Sequence, residues 1–311
     1  MTMTRDILVV VAQIVLLILF GALLKRVQIL RNEHAVLLNS LVTNLTLPAT
    51  VFLAVRNIQR ESWRELVKVP LVAYLVIAAC GGLAFLAARW LRLERRTAGA
   101  LIITAMLGST AFLGYPLVRG LFGEKSQGYA AAVFYSEVGT LIPILTVAVV
   151  IASHYGEGER FSWRNLLAVL KFGPFVAFLI GLLFLNEAVP EVLLGMLRLL
   201  SQATVPLIML SLGITLSWGD FFGRHIRGIL ATSMIKLLVA PLLAVVLTGL
   251  LGLSGEIRSV TILMSALPSL MLCLAYANQY HLDVEFASSA LFASFFLGAL
   301  TLPIVAALIP R

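Results

Sequence analysis

Ten apolar stretches of membrane-crossing length follow one another along this chain, separated by short polar connections, and they leave it few ways to fold. They cover residues 7–24, 35–55, 69–88, 100–117, 130–152, 166–185, 192–216, 229–251, 260–277 and 287–309. Each approaches the roughly 20 mostly apolar residues that a helix needs to cross about 30 Å of hydrocarbon. Only 12% of the residues are charged and 60% are hydrophobic, too little charge to cover a water-soluble surface. Backbone groups in lipid must pair within their own segment, so the expected fold class is an all-α membrane protein of ten transmembrane helices. The 7–24 stretch, followed by Lys25 and Arg26, reads as the first span and not as a cleavable signal. The expected location is the cell membrane, multi-pass.

The net charge of +8 does not point to nucleic acid. Its basic residues sit in short blocks such as Arg89, Arg92, Arg95 and Arg96, where the expected partner is membrane lipid headgroups. Lys and Arg are slightly more numerous in the odd-numbered connections, which tilts the orientation toward both termini outside. Cys80 and Cys273 lie within apolar stretches and read as small buried hydrophobes.

The longest central polar stretch, 153–165, divides the chain into halves 1–152 and 166–311. A shift of 158 residues lays Pro48 on Pro206 and Asn44 on Gln202, and it nearly aligns Lys68 with Arg227 and Pro143 with Pro303. Five spans per copy place the second copy upside down, so the expectation is two inverted five-helix repeats with a binding site near mid-membrane.

Helix-breaking residues locate that site. The fourth stretch carries Gly108, Ser109, Thr110, Gly114 and Pro116 within nine residues, and the ninth carries Ser265, Pro268 and Ser269. Proline lacks an N–H and clashes with the preceding turn, so both helices are expected to be broken and to cross there. Their exposed N-termini would favour an anion, a carboxylate above all. Asn44 and Gln202 each stand one turn before a proline, where an amide can bridge freed carbonyls or touch substrate. Glu137, the one carboxylate well inside an apolar stretch, is the candidate coupling group, or else it pairs with an intramembrane base such as Arg198 or Lys236 or faces a water-filled vestibule. Lys171 is expected to snorkel, and Arg198 and Lys236 to reach lipid phosphate or to neutralise an anionic substrate. The four histidines fall in or beside connections without metal-ligand spacing, and the glycine-rich runs lack a phosphate-loop context. No cofactor, metal site or enzymatic activity is expected.

These residues resemble the auxin efflux carrier family over nearly the whole chain. The likeness rests on Asn44-Leu45-Thr46-Leu47-Pro48, on Ala111-Phe112-Leu113-Gly114-Tyr115-Pro116, on Pro206 with Gly213, and on Pro268-Ser269. It implies a bile-acid/sodium symporter-like fold with crossed fourth and ninth helices. It also implies a scaffold of the first, second, sixth and seventh spans, often a homodimer, against which the rest moves as an elevator. Substrates would be small organic anions such as mono- or dicarboxylates, and the coupling ion a proton or sodium. Many members have asparagine where Ser109 stands, and a polar residue near Met271, Leu272 or Cys273, so carboxylate recognition here would rest on backbone N–H groups with Thr110 and Ser269. A sodium-coupled bile-acid-type symporter and a non-transporting membrane sensor are the alternative readings.

Overall fold

The computed structural model describes residues 2–56, 58–157, 164–185, 189–215 and 225–309. Most of the connection 158–163 and the end of the seventh apolar stretch, Leu216, lie outside the described residues. Helices dominate: α1 (Thr2–Arg26), α2 (Asn32–Arg56), α3 (Trp63–Trp90), α4 (Arg95–Met106), α5 (Tyr115–Phe122), α6 (Gln127–Tyr155), α7 (Arg164–Lys171), α8 (Gly173–Leu183), α9 (Glu191–Thr215), α10 (Ile226–Leu250), α11 (Gly255–Ser265), α12 (Leu272–Gln279) and α13 (Val284–Leu308). Among the described residues the only β pairing is one isolated bridge, Gly108 with Ser269.

Six of these helices, α2, α3, α6, α9, α10 and α13, are long and apolar enough to cross a membrane. The fourth, sixth and ninth apolar stretches are each in two pieces, and for the fourth and ninth the division falls where glycine and proline cluster. Large apolar side chains cover the outer surface, with Leu199 70% and Leu308 77% exposed. In water that surface would be costly, and lipid is its natural solvent.

Four π-helical turns widen the coil, at Val42–Thr46, Thr110–Gly114, Phe134–Thr140 and Ile235–Val239. Each ends two or three residues before a proline: Pro48, Pro116, Pro143 and Pro241. A proline ring clashes with the carbonyl four residues back, and one extra residue in the turn gives that carbonyl room. Pro206 and Pro303 sit inside α9 and α13 without such a turn.

Packing separates the helices into two groups. Helices α1, α2, α8 and α9 lie chiefly on one another, while α3, α4, α6, α10, α11 and α13 form the second group. Between α1 and α9 the backbones nearly touch. A Cβ at Gly213 would stand 2.0 Å from the Ile18 carbonyl oxygen, and one at Gly21 would stand 2.5 Å from that of Leu210. Such closeness is how membrane helices gain dispersion contact when lipid removes the hydrophobic driving force.

Candidate functional site

The two interrupted segments meet at their interruptions. α4 ends at Met106, Leu107 turns extended, and the coil resumes as the wide turn Thr110–Gly114 leading into α5. Pro116 follows that wide turn, and the extra residue accommodates its ring within the resumed coil. α11 ends at Ser265 and α12 begins at Leu272, with Pro268 between them. Around the Gly108 and Ser269 bridge, Ser109 N–H donates to the Pro268 carbonyl at 2.9 Å and Leu270 N–H donates to that of Leu107 at 3.1 Å. Two backbone bonds thus hold the broken ends together, although each helix has given up its own ladder there.

Polar side chains converge on this junction, and several are incompletely satisfied. The hydroxyls of Ser109 and Ser269 are fully buried and have no hydrogen-bond partner. Buried polar atoms in native proteins are nearly always paired, so two orphans at one place call for an explanation. Ser269 N–H donates to Ser294 Oγ at 3.1 Å, which fixes the extended segment against α13. Thr110 and Ser136 hydroxyls lie 3.1 Å apart and tie the fourth segment to the wide turn of α6. In that turn Glu137 is 1% exposed; Tyr115 OH donates to its Oε1 at 2.8 Å, and its Oε2 has no partner. Its partner is therefore a tyrosine, where the sequence suggested Arg198 or Lys236.

The remaining sequence-predicted residues divide. Gly114, Pro116 and Pro268 are buried at the junction, Gly114 against the side chains of Met264 and Leu267. Asn44 and Gln202 are exposed and stand apart from it. Asn44 Nδ2 donates to the Ser40 carbonyl at 3.0 Å, bracing its own helix ahead of Pro48. The neighbour of Gln202 is the one that turns inward: Ser201 and Thr204 on α9 meet Thr50 of α2 at 3.1 and 2.8 Å. Ser201 Oγ also donates to Glu124 at 2.8 Å, and Glu124 pairs with Arg119 at 2.9 Å. Lys171 is exposed as expected. Arg198 is exposed and pairs with Glu191, one helical face along α9. Lys236 corrects the expectation of a lipid-facing cation, because it is 2% exposed and donates to the Ser265 carbonyl at 3.2 Å. Ser136, Tyr115 and Ser294 were not legible as site residues, since a lone hydroxyl in an apolar run gives no sign of its direction.

An apolar cavity of about 380 Å³, lined by residues including Tyr74, Gly81, Phe85, Met106 and Pro143, lies beside the junction. The junction's own polar groups are closed off, so a molecule reaches them only if helices move.

The membrane transport protein family model matches residues 6–306. The chain belongs to that family. It is the auxin efflux carrier family that its motifs resemble, and the protein is a multi-pass membrane protein. An uncharacterized transporter of Methanocaldococcus jannaschii is 32% identical over 295 residues, covering 91% of this chain and 92% of the relative. One from Methanothermobacter thermautotrophicus is 33% identical over 297 residues, with 94% and 95% covered. The uncharacterized transporter YfdV of Escherichia coli K12 is 23% identical over 303 residues, with 94% of each covered.

Proposed function

We propose that this protein is a secondary active carrier for a small organic anion, a mono- or dicarboxylate, bound where the fourth and ninth helices break and cross. Residues 1–152 and 166–311 act as inverted five-helix repeats joined through 153–165. The observation that carries the reading is the pair of fully buried, unpartnered hydroxyls, Ser109 and Ser269, beside two re-starting helices. The first turn of a helix leaves N–H groups without an intrahelical partner and carries partial positive charge. A carboxylate satisfies both the hydroxyls and the amides, with Thr110 as a third donor. Neither Asn44 nor Gln202 belongs to this set.

The packing of α1, α2, α8 and α9 on one another supports a scaffold against which the second group slides as an elevator. The family likeness extends the reading to a homodimer formed by that scaffold. Glu137 is the coupling group: it sits one wide turn from the anion site, joined to it through Tyr115 and through Ser136 with Thr110. Coupling requires that ligand affinity differ between the two access states, and a carboxylate buried with one oxygen unsatisfied supplies such a difference when it gains a proton.

The test is a thermal-shift screen of mono- and dicarboxylates on detergent-purified protein, since a ligand of the native state raises its melting temperature. At least one carboxylate is expected to stabilise the wild type, and Ser109→Leu is expected to abolish that shift while the variant still folds. Unchanged affinity in Ser109→Leu would place the anion elsewhere. Uptake of the hit into proteoliposomes separates a carrier from a sensor.

A further inference from the structure

Among the described residues Lys236 is a fully buried cation with no carboxylate paired to it. Its titratable neighbours are the thiols Cys80 and Cys273. Its ammonium donates to the carbonyl of Ser265, the last residue of α11. On the other side stands Gly108, two residues past the end of α4: a Cβ there would meet Lys236 Cε and Nζ at 3.0 Å and the Leu267 carbonyl oxygen at 3.4 Å. The ammonium therefore lies between the C-terminal ends of α4 and α11. Those ends carry unsatisfied carbonyls and partial negative charge, which is where broken-helix carriers hold a coupling metal cation. One turn earlier on α10 the hydroxyls of Thr232 and Ser233 are buried and unpartnered. The Ser265 carbonyl, with that of Leu267 close by, thus faces a side-chain ammonium where a small hard cation could otherwise sit.

We propose that Lys236 is a tethered cation that occupies the place of a coupling sodium ion, so that this protein works without sodium at the helix junction. The inference rests on the carrier reading only for the meaning of coupling. The charge arrangement is independent of which anion is carried, and it assigns opposite ends of the broken helices to opposite charges. Carbonyl ends of α4 and α11 face Lys236, and amide ends of the re-starting coils face the anion. Gly108 leaves the ammonium its room, since a Cβ there would crowd Lys236 Cε and Nζ at 3.0 Å.

The experiment compares melting temperatures of the full-length protein in sodium chloride and in choline chloride at equal concentration, with no carboxylate present. Wild type is expected to melt at the same temperature in both salts. Lys236→Ser is expected to melt about 5 °C lower in choline, and sodium is expected to restore more than half of the loss by filling the vacated oxygens. Lys236→Gln, which keeps a neutral polar group on a shorter stem, serves as a second variant should the serine fail to fold. Stabilisation of the wild type by sodium overturns the proposal. So does a lowered melting point that sodium leaves unchanged in a folded variant, which makes Lys236 a structural tether only. Neither outcome bears on the carboxylate screen, so the two readings fail separately.

Discussion

Two of the helix contacts that bury hydroxyl groups are finished differently. Where α2 meets α9, Thr50, Ser201 and Thr204 satisfy one another and reach on to Glu124 and Arg119. Where the fourth and ninth segments meet, the hydroxyls of Ser109 and Ser269 are buried as deeply and have no partner. A closed network holds two helices in one place, because breaking it leaves orphaned groups at full desolvation cost. Unpaired hydroxyls add nothing to such a contact, which here is held by the two backbone bonds of the junction. On the proposed function, the first contact serves stability and the second recognition.

Four variants break or sharpen that contrast. The largest effect is expected from Gly213→Leu, which drives a side chain into the Ile18 backbone, 2.0 Å from where its Cβ must stand. Loss of at least about 4 kcal/mol of stability is expected, seen as failure to purify as a folded monodisperse species. Thr204→Val should lower stability by about 1 to 3 kcal/mol by leaving Thr50 short of a partner, with carboxylate affinity unchanged; an affinity loss would mean the two contacts are not separate. Ser109→Ala should reverse the pattern. Its melting temperature without ligand should match the wild type while affinity for the screened carboxylate falls about tenfold, near 1.4 kcal/mol, because the removed hydroxyl bonded only to ligand. Asn44→Ala should cost about 0.5 to 1.5 kcal/mol at most, since the amide is exposed and braces a single carbonyl, and it should leave affinity untouched. A large affinity loss there would return Asn44 to the binding site.

The course of the chain through its apolar stretches was legible because lipid permits only helix over such lengths. The two interruptions were legible because glycine and proline announce them, and the helices do stop at Met106 and Ser265. Directions of side chains were not. The shift that pairs Asn44 with Gln202 is visible in the sequence, yet both amides face outward and the adjacent Ser201 carries the contact. In segments that are apolar all round, no polar stripe tells one face from another, so neighbouring residues cannot be ranked. Lys236 failed for a related reason: its long side chain can reach the surface or the core from the same backbone position. The tyrosine partner of Glu137 was hidden because Tyr115 lies 22 residues away and only the fold joins them.

Glu137 and Lys236 share an address that their sequence neighbours do not advertise: each stands within a π-helical turn ahead of a proline. One surplus residue puts the two parts of a span out of phase by about 100°. Helical-wheel projections of α6 and α10 therefore predict the wrong bearing for everything past the surplus. Excising a single residue from Phe134–Thr140 would turn the two parts of the span relative to each other by about 100° while changing neither hydropathy nor length appreciably. The inward aim of both charges is thus a property of how many residues the coil contains, and only secondarily of which ones.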